Sequence, residues 1–429
     1  MNSGNKNSFL TGLAVGIVCA LSAAMAAILI YLTGVKPETP SGENKPTLSP
    51  TSALQPTNGA SANKDDVFTS ISNEELLSKL REINGIIDKN SLYGASDEDK
   101  ANAVIAGILN ALNDKYAAYY TIDNMKAFQE STSGTYSGIG ALVSQDPYSK
   151  EISIVRPFEG GPAYNSGLLK GDVFVKVAGI DVAGMDINEV VSYMKGPAGT
   201  DVEITVRRGE ELITKTLTRA TIEVPTVESE MLDNKIGYIQ VTEFDGVTVS
   251  QFTNAITKLQ KEGMEALVLD LRDNPGGLVD TAVSIADRIV PTGVVVYTED
   301  NTGRRDYNYA RTATELNIPV CVLINGNSAS ASEILCGALR DYNKATIVGT
   351  TSYGKGIVQV IQYLSDGSGL KYTISQYFTP SGYAVHGVGI VPDIEVELDE
   401  ELQKLSEIPK DKDNQLQTAV KELLRQLGK

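Results

Sequence analysis

The chain has 429 residues, with 37 Lys and Arg against 54 Asp and Glu for a formal net charge of −17. This acidic balance excludes a nucleic-acid binder, because phosphate affinity rests on clustered cations. A single histidine, His386, is too few for a histidine metal site and leaves any Ser-His-Asp triad only one candidate base. An enzyme built on this chain needs another proton acceptor, with no metal and no cofactor expected.

Residues 9–32 carry no charge and are long enough to cross a bilayer as a helix of about 36 Å. Apolar residues continue past the small-residue run Ala24-Met25-Ala26, beyond where a removed signal peptide normally stops. The expectation is a single-pass signal anchor in a bacterial cell membrane: 1–8 cytoplasmic, the catalytic part extracytoplasmic. Five prolines among Ser, Thr, Asn and Gly make 33–66 a disordered linker. Cys19 sits in the apolar stretch; Cys321 and Cys336 lack CxxC spacing and read as small buried thiols.

Residues 67–129 form a helical segment. Ser72 to Glu75 spell a capping box before Leu76, Leu77, Leu80, Ile83 and Ile87 on one face, and Val104, Ile105, Ile108, Leu109 and Leu112 repeat the pattern. The segment 399–429 does the same with Leu416, Val420, Leu423, Leu424 and Leu427. Neither shows chemistry, so packing or a homodimer contact is their expected role.

From 130 to 221 the pattern changes to short β runs, Ile152 to Val155, Val173 to Val177 and Val202 to Val206, with glycine-rich turns. Residues Ala163 to Leu168, then Gly171-Asp172 and Val177-Ala178-Gly179, resemble a PDZ domain signature. The resemblance places the loop that holds a peptide's terminal carboxylate at Ser137, Gly138, Ile139, Gly140 and Ala141. Exposed amides there would form an anion nest while the peptide adds a strand to the sheet edge.

Strands and helices alternate over 222–398 as in an α/β core. The strand Ile236–Phe244, a helix over Val249–Lys261, the strand Ala266–Leu271 and a helix over Leu278–Val290 are expected. Val294–Tyr297, Val320–Ile324, a helix from Ser332 to Tyr342 and Ile347–Val348 follow.

Three segments of this core bear chemistry. Leu271 to Gly277 ends a strand with a Pro-Gly-Gly turn whose amides and following helix suit an oxyanion hole. Asn325 to Glu333 is a second strand-to-helix turn, rich in serine and small residues, which would present a hydroxyl as a nucleophile. The third, Ser352 to Gln359, has Lys355 between two glycines. On a strand, Lys355, Ile357 and Gln359 share a face. A desolvated lysine there loses its charge and becomes a general base, which Gln359 could orient without adding charge.

Together the segments resemble the carboxyl-terminal-processing peptidases, or tail-specific proteases, over nearly the whole chain beyond the linker. The likeness includes Asp114-Lys115-Tyr116 through Tyr119-Tyr120 and the stretch Gly387 to Asp393, similar to the family's closing strand motif. It implies an α/β multi-domain protein: a crotonase/ClpP-like β-β-α catalytic core, an inserted or preceding PDZ domain, and helical N- and C-terminal segments. It implies Ser330 as nucleophile, Lys355 as base, Gln359 as its support, and the amides of Gly276 and Ala331 as oxyanion donors. Substrates would be proteins or peptides bound by their C-terminal tails, with the PDZ domain gating activity. Where relatives often carry a sensing arginine, this chain has Lys195 between Met194 and Gly196, which keeps the charge but loses the guanidinium fork.

Three other readings compete. A trypsin-like protease requires its histidine before its serine, and His386 follows every candidate. A non-catalytic PDZ scaffold leaves Lys355 and Gln359 without a purpose. A crotonase-like acyl-CoA enzyme fits poorly with export and a PDZ domain.

Overall fold

A computed structural model describes residues 73–312, 315–405 and 408–429. Asn73 to Asn113 group as one compact unit and Asp114 to Lys429 as another. In the first, helices α1 (Asn73–Asn90) and α2 (Asp97–Asn110) are joined by Lys100 and Asp88 at 2.5 Å, and Ser96 caps α2 by accepting from the Asp99 amide. Ser72, the expected capping residue of α1, lies outside the described residues.

In the larger unit, β1 (Ala118–Tyr120) and α3 (Ile122–Ser133) come first. The chain then leaves through β2 (Thr135–Gly138) into β3 (Ala141–Gln145), β4 (Ile152–Pro157), the short helix α4 (Pro162–Asn165), β5 (Val173–Val177), β6 (Ile180–Asp181), α5 (Ile187–Met194), β7 (Asp201–Arg208) and β8 (Glu211–Thr218). It returns on β9 (Ala220–Glu223), which pairs antiparallel with β2 from Thr135 opposite Glu223 to Gly138 opposite Ala220. Outgoing and returning strands run side by side, so this domain is inserted in the core. Its sheet has the order β3-β4-β5-β7-β8, with β6 on β5. Val143, Ile154, Phe174, Ile204 and Leu217 face Val190 and Met194 of α5 in a core of its own.

The core of this unit is built on a sheet in the order β10 (Val227–Leu232), β11 (Ile236–Val241), β12 (Ala266–Asp270), β15 (Val320–Ile324), β16 (Thr346–Gly349) and β19 (Ile394–Glu395). From β11 to β19 neighbours are parallel. Parallel sheets bury both faces, which is why β12 and β15 are apolar at nearly every position. Leu267, Leu269, Val322 and Ile324 face α6 (Thr248–Lys261), α7 (Val279–Ala286) and α8 (Ala331–Asp341); Val268, Cys321 and Leu323 face Leu416, Ala419 and Leu423 of α9 (Asn414–Gln426). A second sheet, in the order β1-β18-β13-β14 with β17 on β18, is antiparallel: β13 is Gly293–Asp300, β14 Arg305–Ala310, β17 Ile357–Tyr363 and β18 Gly369–Phe378.

Several expectations are corrected. The strand expected over Ile236–Phe244 ends at Val241, and the helix expected over Leu278–Val290 occupies Val279–Ala286. The residues from Gly387 to Asp393 are a loop, and the closing strand β19 follows them. Lys355 is not on a strand, since β17 begins at Ile357. Gly356 lies so close to His386 that a Cβ would fall 2.3 Å from the His386 amide nitrogen, which favours a loop there. A bulge between Val358 and Gln359 also interrupts the alternation that would align Lys355 with Gln359.

The placement as a single-pass membrane protein is corrected too. Among the described residues no helix is long and apolar enough to cross a membrane. The longest of these helices, α1, carries Glu74, Glu75, Lys79, Arg81 and Glu82. The 9–32 segment lies outside the described residues, so a membrane anchor is not supported.

Candidate active site

The buried strands β12 and β15 end side by side, and the turns that follow them interlock. After β12, Asn274 is fully buried and acts as a two-sided clamp. Its Nδ2 donates to Val241 O at 2.8 Å, while its carbonyl accepts from Ala329 N at 3.0 Å and Ser332 Oγ at 2.9 Å. After β15, Ser328 Oγ donates to Leu271 O at 2.7 Å. The second turn is therefore pinned onto the first, and Ser330 stands at the head of α8.

Ser330 has φ 55° and ψ −112°, a conformation costing a non-glycine residue on the order of 1–3 kcal/mol. Gly276 runs against it: a Cβ there would meet Ala329 O at 2.7 Å, Ser330 Cβ at 2.8 Å and Ala331 N at 2.9 Å. Only glycine fits this approach, which brings the two expected oxyanion segments together. Ala331, fully buried, contributes the first helical amide of α8. The Gly276 amide donates to Asn274 Oδ1 at 2.9 Å in this structure.

Glu333, one turn into α8, is 1% exposed and holds the backbones of both Ser330 and Lys355. Its Oε2 accepts from the amides of Ser330 at 2.8 Å and Lys355 at 2.9 Å; its Oε1 accepts from Gly354 N at 2.7 Å and from Ser352 Oγ. From the other side, Tyr377 on β18 donates its hydroxyl to Ser330 O at 3.1 Å. Burial first, then the Glu333 charge, holds that phenol well above its ordinary pKa, so it stays a donor.

Lys355 Nζ lies 4.9 Å from the centre of the Tyr116 ring. Burial, reinforced by the Lys371 and Lys115 charges and opposed by Glu333, draws its pKa below the usual lysine value. This favours the neutral amine a general base requires. No hydrogen bond joins Ser330 Oγ to Lys355 Nζ, and Gln359 Nε2 approaches Thr373 Oγ1 and Ile357 O at 3.4 and 3.5 Å, not the lysine amine. Catalytic contacts are often loose before substrate binds.

Ser330, Lys355, Gln359 and Gly276 line one cavity of about 320 Å³. Its walls include Tyr120, Asn124 and Phe128 on the α3 side, Lys371 on β18, and Glu243 and Asp245 beyond β11. His386 is exposed and is not part of that lining, which fits a protonation chemistry that does not use it.

In the inserted domain, Ser137 and Gly138 end β2, Ile139 and Gly140 turn the corner, and Ala141 opens β3, which is the end strand of its sheet. Gly140 has φ +72° and its carbonyl accepts from Phe158 N, while Ile139 O accepts from Ala163 N. Lys195 caps α5 beside this loop, where Gly196 N donates to Ser137 O at 3.3 Å. Its Nζ reaches Glu130 Oε2 on α3 at 2.7 Å and sits 5.5 Å from the Tyr136 ring centre. It thus bridges the inserted domain to a helix that walls the cavity.

Glu333, Tyr377, Lys371, Glu243 and Asp245 were not singled out by sequence. The spacing of Glu333, three residues after a serine at a helix start, was a usable capping signal. The other four carry no local signature, because only the tertiary fold brings them to the cavity.

The sequence profile of peptidase family S41 matches residues 235–396, and that of a PDZ domain matches 154–208. The chain is 37% identical over 313 residues to the carboxy-terminal processing protease CtpA of Bacillus subtilis (strain 168), covering 72% of this chain and 67% of that protein. It is 36% identical over 342 residues to a CtpA-like serine protease of Staphylococcus aureus (strain COL), covering 78% and 68%. Among solved structures, a photosystem II D1 C-terminal processing protease matches at 28% identity with a TM-score of 0.46, covering 80% of this chain and 96% of that one.

Proposed function

The chain belongs to the S41 family of carboxy-terminal processing serine proteases, and we propose that Ser330 is its nucleophile and Lys355 its general base. The observation that carries this assignment is the single buried carboxylate of Glu333, which holds the backbones of both residues at one cavity. A neutral Lys355 takes the proton of Ser330 Oγ as the oxygen attacks the scissile carbonyl carbon. The oxyanion is held by the amides of Ala331 and Gly276, the latter released from Asn274 Oδ1 or shared with it. The Lys355 ammonium then gives its proton to the leaving nitrogen as the C–N bond breaks. Water, deprotonated by the same amine, attacks the acyl-enzyme and frees Ser330. Gln359 turns toward the amine when substrate fills the cavity.

The substrate's C-terminal tail binds as an added strand on β3, its carboxylate at the Ser137 to Ala141 turn, within a PDZ domain spanning 130–221. The core spans 222–398. Lys195 and Glu130 transmit occupancy of the PDZ domain to α3 and so to the cavity, which makes activity dependent on the tail. The apolar faces of α1 and α2 serve a homodimer, checked by light scattering.

The test is hydrolysis of peptides ending in different tails by the full-length protein. Ser330→Ala and Lys355→Ala should each remove about 10³-fold or more of kcat while leaving the fold intact. Full activity in either variant overturns the dyad.

A further inference from the structure

Two carboxyl groups that the reaction above does not use also line the cavity. Glu243 and Asp245 follow β11 and flank Phe244, whose backbone pairs with the oxyanion segment: Phe244 N donates to Gly276 O at 2.9 Å and Leu278 N to Phe244 O at 2.7 Å. Both acids are therefore one strand spacing, about 4.8 Å, from the segment on which the scissile carbonyl would rest. Asp245 is 2% exposed, lines the cavity, and its Oδ2 has no hydrogen-bond partner among the described residues. The Glu243 carboxyl likewise has no ion pair or hydrogen bond among them. Helix capping does not account for the pair, since α6 begins without a side-chain cap and Thr248 Oγ1 serves the Asp245 amide instead.

We propose that Glu243 and Asp245 form a subsite of this cavity that takes a basic side chain, lysine or arginine, of the polypeptide substrate close to the scissile bond. It rests on the protease reading above and names the substrate side chain that reading leaves open. Asp245 is buried and Glu243 half-buried; a buried carboxyl without a partner is costly, and two carboxyls that line one cavity are satisfied best by a single multi-donor cation. An ammonium can bridge them, and a guanidinium can meet both with its fork.

The electrostatics agree with this geometry. Burial pushes Asp245 up to about 7, and burial with the Asp245 charge pushes Glu243 up to about 8. No cation among the described residues offsets either shift, although Lys355 and Lys371 line the same cavity. The α3 side of the lining brings Asn124, Ser131 and Thr132, which carry no charge. The cavity is thus lined by two lysines, Lys355 being kept for proton transfer, and by two acids that neither lysine offsets. Without substrate and below about pH 7 the acids keep their protons and avoid the cost of buried charge; a substrate cation favours their ionised form.

The experiment uses the full-length protein and peptides of one tail sequence that differ only within about four residues of the cleaved bond, carrying Lys, Arg, norleucine or Glu. Cleavage rates are read by mass spectrometry. Binding of the same peptides to the Ser330→Ala protein is read by fluorescence anisotropy, so the subsite is tested even if nothing is cleaved. The Lys and Arg peptides should bind and react at least about tenfold better than norleucine, as expected for charge-assisted bonds. Glu243→Gln should shrink that preference, and Glu243→Lys should turn it toward the Glu peptide. Asp245→Asn should act like Glu243→Gln; should it not fold, the Glu243 variants decide. Equal binding of Lys and norleucine peptides, or a preference unmoved by Glu243→Lys, overturns the subsite. Cleavage of no peptide by the wild-type protein overturns the protease reading instead, and the anisotropy still settles the subsite.

Discussion

The amides of Ser330 and Lys355 donate to one and the same oxygen, Glu333 Oε2, at 2.8 and 2.9 Å. Two residues 25 positions apart in sequence are thereby placed by one side chain, on helix α8, that holds their backbone amides. Both Oε atoms accept, so no face of the carboxylate tolerates a donor. Glu333→Gln puts an NH₂ against two N–H groups or against Ser352 Oγ and Gly354 N. The expected loss is about 1–3 kcal/mol of stability, read by thermal denaturation. Because about 1 Å of misplacement can cost 10²-fold in rate, kcat should fall about 100-fold with KM little changed. A variant with wild-type kcat would show that the shared carboxylate does not position the pair.

Lys355 gives a pH signature whose sign follows from its burial. The amine acts as a base only when neutral, and its pKa lies below the ordinary lysine value. The rate constant kcat/KM should therefore rise with pH through that depressed value and level off above it. Stability follows the same direction. Between the folded and the unfolded pKa the unfolded chain binds more protons, so the fold becomes more stable as pH rises across that window. Lys355→Met should remove this slope and raise the melting temperature at pH 7 while abolishing cleavage. A melting temperature at pH 7 below that of the wild type would contradict a desolvated lysine.

Lys195 and Glu130 are a partly exposed pair, and such pairs contribute only about 0.2–1 kcal/mol. A contact this weak suits a latch better than a brace. Lys195→Met and Glu130→Gln should each leave stability within about 1 kcal/mol. Each should change by severalfold the stimulation of cleavage by a longer or better-matched tail, with the double variant no different from either single one. Additive effects of the two substitutions would separate the residues functionally.

What could be read from the residues alone depended on how local the signal was. The strands β12 and β15 are short apolar runs because both their faces are buried, and both were visible. The Pro-Gly-Gly and serine-rich turns were visible because glycine and small residues are demanded by the 2.7–2.9 Å approaches around Gly276. The strand β14 and the long β18 were less visible. Their polar, aromatic-rich sequences include Tyr307, Tyr309 and Tyr372, and β18 pairs with β1 and β13, which lie far along the chain. Alternation in the sequence extends to Lys355, two residues before the strand begins, because the close approach of Gly356 to His386 has no local signature. Glu243 and Asp245 had no signature at all, since an acid in a loop is ordinary until a fold buries it.

Those two acids make the stability of the whole molecule depend on pH in the sense opposite to Lys355. Asp245 titrates near 4 when unfolded and at about 7 when folded, and Glu243 is pushed to about 8. Across pH 4 to 8 the folded chain therefore binds more protons than the unfolded one, and these groups lower stability as pH rises through that interval. For Asp245, which is 2% exposed, the loss between pH 5 and 8 is on the order of 3 kcal/mol. Asp245→Asn and Glu243→Gln should each flatten the decline, measured as chemical denaturation midpoints at pH 5, 6.5 and 8. The variants should gain most on the wild type at pH 8 and least at pH 5. A lysine-containing peptide bound to the Ser330→Ala protein should oppose the same decline, since its cation stabilises the ionised acids. Variants that gain equally at all three pH values would mean that the carboxyls ionise in the fold as they do in the unfolded chain, and the burial argument would fail.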